Sequence, residues 1–292
     1  MGVRIAVYHL TRYEYDRPVF LSPHLFRLKP AAHCPIPIEK YSLTIKPATH
    51  IVHWQQDSFG NFLARVDFQE AMRELSVEVE LIANMIPLNP FDFFLDTYAE
   101  YYPFTYEAQL MKDLSPYLEI IPAGPQMEQL LQKLDKSKRA IVDFLIMLNQ
   151  HVYQNIGYTI RLQPGVQTSE ESLAQALGSC RDSAWLLVQI LRHLGLAARF
   201  VSGYSVQLTS ENQVPVNSSE PVQDLVALHA WAEVYIPGAG WIGLDATSGL
   251  LTGEGHIPLA CTASPESAAT ITGTTGISET SFTYINKVIR LS

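Results

Sequence analysis

Three side chains of this sequence are of the types that nucleophilic acyl chemistry needs, and they come in the order Cys180, His229, Asp245. A cysteine nucleophile needs a base to take its proton, and imidazole is the side chain that titrates near neutral pH. The imidazole in turn needs a carboxylate to fix its tautomer and orientation. Cys180 lies in Gly178-Ser179-Cys180-Arg181-Asp182, where a polar stretch gives way to helical periodicity. Ser179 reads as a helix N-cap, and Asp182, three residues on, as the partner that closes a capping box. Cys180 then falls in the first helical turn, where unpaired N–H groups and the helix dipole favour a thiolate. A free cysteine is more often a small buried hydrophobe. The helix start alone does not decide between the two; the downstream residues do.

The elements that must bring these groups together are legible. Cys180, Ala184, Leu187, Leu191 and Leu194 recur at intervals of four, three, four and three, one face of a helix that stops at Gly195 after His193. Residues 228–236 alternate strictly, so His229, Trp231, Glu233 and Tyr235 share a strand face. Pro237-Gly238-Ala239-Gly240 turns the chain, and Trp241, Gly243 and Asp245 share a face of the returning strand. A three-residue loop, 237–239, pairs Ile236 with Gly240 and sets Trp231 opposite Asp245. His229 and Asp245 are then diagonal neighbours on one face, about 7–8 Å apart at the backbone and within side-chain reach. A two-residue loop would put them on opposite faces. Alone, His229 reads as a strand histidine and Asp245 as a strand-ending turn residue. Together, downstream of a helix-start cysteine, they favour a thiol triad.

Composition bounds the rest. The chain has 292 residues, 47% of them hydrophobic, which is enough for two domains. A net charge of −9 disfavours nucleic acid or an anionic membrane surface as partner. There is no run of about 18 apolar residues to span a bilayer. The start, Met1-Gly2-Val3-Arg4-Ile5, enters strand sequence without a signal-peptide core, and Ala6 stands where a myristoylation signal needs Ser or Thr. Three widely spaced cysteines, Cys34, Cys180 and Cys261, form no metal motif and cannot all pair, so reduced thiols in the cytoplasm are expected. Residues 3–15, 41–45, 50–54, 62–68 and 75–82 read as strands, and many short strands with turns between them suggest a sandwich. Residues 1–100 are expected to form an N-terminal β domain, 101–125 an aromatic connector packed on its neighbours, and 126–292 the catalytic core. Residues 209–224, polar and proline-bearing, read as a loop that could close over the cleft.

Four blocks carry a resemblance. Gly178-Ser-Cys-Arg-Asp-Ser-Ala-Trp-Leu-Leu187, Ala198-Arg-Phe-Val-Ser-Gly-Tyr204, His229-Ala-Trp-Ala-Glu-Val-Tyr235 and Gly240-Trp-Ile-Gly-Leu-Asp245 resemble the core blocks of bacterial transglutaminase-like enzymes. That superfamily has a papain-like fold and is often described as cysteine protease. Asn89-Pro-Phe-Asp-Phe-Phe94 and the N-terminal strands resemble the β domain that commonly precedes such a core. The resemblance implies an α+β fold, with a Cys-bearing helix packed on an antiparallel sheet that carries His and Asp, preceded by a β-sandwich-like domain. It implies Cys180 as nucleophile, His229 as general base and then acid, Asp245 as orienter, and no cofactor. Two departures bear on the substrate pocket. Asp245-Ala246-Thr247-Ser248 replaces the usual Asp-Pro-Thr-Asn, and Pro258-Leu-Ala-Cys-Thr-Ala-Ser264 replaces a charged segment and places Cys261, read as a packed thiol, within it.

The chemistry implied is acyl transfer from a peptide or protein carboxamide through a thioester. The Cys180 N–H is a natural oxyanion donor, worth roughly 2.7–4 kcal/mol, with Gln154 or Tyr158 as candidates for a second. Trp231 either walls the acyl site or packs, Asp182 caps the helix, and Glu233 is expected to pair with Arg181. Water as acceptor makes a protease or amidase; an amine makes a transglutaminase. No Asp-x-Asp-x-Asp-Gly calcium loop is present, so hydrolysis is favoured over calcium-switched cross-linking. A non-catalytic peptide-binding module is the alternative of another class, against which the intact triad argues.

Overall fold

The alternating sequences at 3–19 and 72–85 become long strands with one buried face. In the computed structural model, which describes residues 2–209 and 223–291, two four-stranded antiparallel sheets pack face to face. One has the order Thr280–Arg290, Val3–Val19, Met72–Met85, Ile38–Lys46; the other Ile271–Thr272, His24–Phe26, Phe62–Phe68, His50–Gln56. Ile5, Val7, Val77, Val79 and Leu81 from the first meet Phe26, Ala64 and Val66 from the second in a single core. The last strand of the chain therefore completes the sheet that the first strand begins, in a register from Ile5 opposite Arg290 to Tyr15 opposite Thr280. Residues 126–292, expected as one catalytic core, contribute their final strand to the N-terminal sheet.

A third sheet holds the site. It is five-stranded and antiparallel, in the order Leu250–Leu251, Gly240–Asp245, Leu225–Ile236, Ala198–Gln207, His256–Thr262. The helix Cys180–His193 packs on it, with Ala184, Leu187 and Leu191 in the same core as Ala230, Ala232 and Val234 of the central strand. The helix is buried from Asp182 to Arg192 because Ile141–Asn155 covers another side with Ile141, Phe144, Leu145 and Leu148. Its C-terminus ends as the sequence requires. Gly195 takes φ +79°, and the Leu196 N–H reaches back to the Leu191 carbonyl at 3.0 Å, closing the last turn around a left-handed residue.

Of the connector aromatics, Tyr102 and Tyr106 are buried as expected of large apolar rings, whereas Tyr101 is exposed. Tyr102 stacks on Phe144 with ring centroids 3.7 Å apart. The Tyr106 hydroxyl donates to the Tyr235 carbonyl at 2.7 Å and accepts from the Ala197 N–H at 2.9 Å, which pins the connector to two strands of the third sheet. The same sheet also touches the sandwich, since Tyr204, Val206, Ile257 and Leu259 lie in the sandwich core. Among the described residues no helix is long and apolar enough to cross a membrane. Residues 210–222, most of the loop expected to close over the cleft, lie outside the described residues.

Candidate active site

Asp182 does more than cap its helix. Its Oδ2 accepts from the Ser179 N–H at 2.8 Å and the Ser179 hydroxyl at 2.7 Å, so the expected capping box is formed. Arg161 then grips the carboxylate with two N–H groups at 3.0 and 2.9 Å, and the Gln167 N–H adds a bond of 2.7 Å. Burial alone would raise the Asp182 pKa, but these donors hold it down at about 2. The turn that carries Cys180 is fixed by a fully buried, multiply bonded carboxylate. Cys180 itself is half-buried.

The hairpin takes the three-residue loop. Ile236 pairs with Gly240 and Ala232 with Leu244, so His229 and Asp245 fall on one face. His229 Nε2 lies 3.0 Å from Asp245 Oδ2, and Cys180 is close enough to the ring to act on its pKa. Burial works to lower the His229 pKa; the bonds to Asp245 and Cys180 outweigh it and raise it to about 10. Asp245 is held well below the usual carboxylate range, since the donors around it overcome the burial that would raise it. The structure joins His229 to Asp245 directly and sets Cys180, at the start of its helix, near the same ring.

Two residues that sequence reasoning missed complete the surroundings of Asp245. His256 Nε2 stands 3.2 Å from the same Oδ2, and the Gly253 N–H points at His256 Nδ1 from 3.4 Å. That contact leaves the ring proton on Nε2, where it donates to Asp245. Thr247 gives Oδ1 its N–H at 2.9 Å and its hydroxyl at 2.7 Å. Two imidazoles and one threonine therefore aim four donors at one carboxylate. Thr247 stood in the quoted block after Asp245, and its position two residues on is a usual Asx-turn signal. His256 had no local signal, because only sheet pairing through Ala198–Gln207 brings its strand near.

The supporting candidates divide. Trp231 is fully buried, donates its indole N–H to Glu233 at 3.3 Å and meets the His256 ring edge-to-face at 5.1 Å. It packs behind the histidines. Tyr158 pairs in parallel with Gly178 and is raised in pKa by partial burial and then by the charges of Cys180, Tyr284 and Asp245, which places it beside the nucleophile. Gln154 bonds to Gln150 at 3.4 Å and lines a cavity of about 380 Å³ with Lys133 and His151; no hydrogen bond among the described residues joins it to the triad. The expected Glu233–Arg181 pair does not form. Glu233 faces Arg199 across the strand register at 2.6 Å, while Arg181 donates to the carbonyls of Arg161 and Gln163. Cys261 is buried, as expected of a packed thiol, and lies 3.5 Å from His33 Nε2. Among the described residues two groups, His229 with Asp245 and His256, and His33 with Glu233 and Cys261, could each offer three ligand atoms within 4.8 Å. In both, those atoms are engaged in hydrogen bonds with one another or with Arg199.

A helix-start thiol, a strand histidine and a strand-end aspartate, on a helix packed against an antiparallel sheet, define a transglutaminase-like core of papain-like architecture. Residues 5–84 match the bacterial transglutaminase-like N-terminal region and residues 128–246 match the transglutaminase-like superfamily. The chain belongs to that superfamily. An uncharacterized protein of Mycobacterium tuberculosis is 27% identical over 273 residues, which span 87% of this chain and 82% of that protein. An uncharacterized protein of Mycobacterium leprae is 24% identical over 257 residues, spanning 87% and 86%. The crystal structure of a candidate cysteine protease from Cytophaga hutchinsonii superposes with a TM-score of 0.67 at 17% identity, covering 100% of this chain and 92% of that one. This last likeness is one of fold.

Proposed function

We propose that the chain is a thiol-dependent acyl-transfer enzyme that acts on peptide or side-chain carboxamides, with Cys180 as nucleophile, His229 as acid and base, and Asp245 as the group that orients His229. The observation that carries the reading is the His229 ring, 3.0 Å from Asp245 and near enough to Cys180 for the thiol to act on its pKa. With His229 held as an imidazolium up to about pH 10, the ring carries the proton that the leaving nitrogen needs.

The sulfur attacks the carbonyl carbon, and the C–S bond forms as the C=O electron pair moves onto oxygen. The Cys180 N–H, in the first helical turn, faces that oxyanion. When the C–N bond breaks, the leaving nitrogen takes the proton of the imidazolium and a thioester remains. Neutral His229 then removes a proton from the acceptor, which attacks the thioester and returns Cys180. Water as acceptor makes the enzyme a protease or amidase, the outcome we favour; a lysine amine makes it a transglutaminase. Cys34, Cys180 and Cys261 are all unpaired, which supports a reducing compartment and hence the cytoplasm.

The test is to incubate the protein, and a Cys180→Ala control, with glutamine-containing peptides and a tagged primary amine and to weigh the products. Cleaved or deamidated peptides, absent from the control, identify water as acceptor. Tagged peptides identify an amine. Unchanged peptides in both samples would remove the acyl-transfer reading.

A further inference from the structure

The short strand Gly157–Tyr158 runs on into residues 159–162 beside the nucleophile, and exposure alternates from Tyr158 to Leu162. Tyr158, Ile160 and Leu162 are 60%, 73% and 69% exposed, while Thr159 and Arg161 between them are only partly exposed. Large apolar side chains so open to water are ordinary when scattered singly. Here three stand on alternate positions of one segment.

That segment is also held in place. Arg161, between Ile160 and Leu162, is bound to Asp182 through two N–H groups. Arg181, the residue after the nucleophile, donates to the carbonyls of Arg161 at 2.8 Å and Gln163 at 2.9 Å. The Thr159 N–H bonds the Gly178 carbonyl at 2.9 Å. The first turn of the Cys180 helix thus anchors the segment from both ends, and Tyr158 lies close enough to Cys180 and Asp245 for their charges to act on its hydroxyl. Leu250, the sheet partner of Asp245 and 63% exposed, adds another apolar side chain at the triad. An exposed apolar row fixed to the nucleophile's own helix has a use if it meets what the nucleophile meets.

We propose that this strap selects substrates with bulky apolar residues beside the reacting carboxamide, an inference that rests on the acyl-transfer reading above. Alternate side chains of an extended peptide are spaced as those of the strap are, so Ile160 and Leu162 can cover residues on either side of a glutamine or scissile bond.

Fluorescently labelled peptides Ala-Leu-Gln-Leu-Ala and Ala-Ser-Gln-Ser-Ala, titrated against the full-length Cys180→Ala protein by polarisation, test this without chemistry. The leucine peptide should bind about tenfold or more tightly, the effect of burying one to two apolar side chains. Adding Ile160→Ser and Leu162→Ser should remove that preference. The same two substitutions with Cys180 intact should leave its alkylation by iodoacetamide, a small reagent, at the parent rate, which shows that the site is still formed. Equal affinity for the two peptides, no binding of either, or a preference untouched by the serines overturns the proposal. Failure of the acyl-transfer reading looks different: an inert Cys180 and unprocessed peptides, with the leucine preference retained.

Discussion

His256 and His229 share one oxygen. Asp245 Oδ2 lies 3.0 Å from His229 Nε2 and 3.2 Å from His256 Nε2, and Trp231 packs edge-to-face on the second ring at 5.1 Å. The carboxylate is thereby fixed in rotation by a group outside the Cys-His-Asp set. Replacing His256 with Phe keeps an aromatic ring against Trp231 and removes the donor. This change should lower kcat by about tenfold, the lower end of what outer-sphere partners of a functional group contribute, with KM little changed. His256→Gln, which retains an N–H, should recover part of the loss. Steady-state kinetics on the two variants decide it, and equal values for Phe and wild type would show that His256 is idle.

The pH dependence follows from the same carboxylate. The His229 pKa is raised in the folded protein from 6.5 to about 10, against the pull of burial, by its bonds to Asp245 and Cys180. Its contribution to stability is therefore fully present below the unfolded value and is lost as pH rises through about 10. Catalysis needs the imidazolium to protonate the leaving nitrogen, so kcat/KM should fall on the alkaline side near pH 10. Asp245→Asn removes the opposing charge and should move that limb toward neutral pH. A pH–rate profile of both proteins measures the shift.

Asp182 gives the opposite sign. Its pKa is lowered from 3.8 to about 2, chiefly by Arg161 once the effect of burial is overcome. Its stabilisation is present above 3.8 and lost as pH falls through about 2. At 1.36 kcal/mol per pKa unit, Asp182→Asn should cost about 2 kcal/mol at pH 7, and the difference should shrink at pH 3. Urea unfolding at the two pH values reads it directly.

Gly203 crosses beneath Trp231. A Cβ built there would stand 2.4 Å from the Ile257 carbonyl oxygen and 2.4 Å from the indole ring. The carbonyl belongs to a paired strand and cannot swing away, so Gly203→Ala must push the sheet apart or displace the tryptophan. The expected cost is about 1–3 kcal/mol, as for other overpacked cores. The displaced ring carries His256 with it, so activity should fall as well. Calorimetry and kinetics on one variant test both.

Local rules were enough for much of the site. Ser179 and Asp182 signalled the helix start, and the three-residue turn set the register that joins His229 to Asp245, because both signals lie within a few residues of what they determine. The pairings that escaped are long-range. Glu233 takes Arg199 rather than Arg181 because the strand register places them opposite each other. Arg161 reaches Asp182 from 21 residues away through a loop with no periodic signal. His256 arrives on a separate strand, and the final strand returns to pair with the first across nearly the whole chain. None of these contacts has a spacing that a single sequence exposes.

The most direct test of the triad is the reactivity of its thiol. At pH 6, iodoacetamide should modify Cys180 while Cys34 and Cys261 stay untouched, since burial pushes the pKa of both upward and that of Cys261 most strongly. His229→Ala should abolish the difference by removing the ring that takes the Cys180 proton. Peptide mapping by mass spectrometry assigns the modified residue. Selective, His229-dependent labelling of Cys180 is the result predicted; three equally inert thiols, or labelling of Cys180 that survives without His229, would contradict the account.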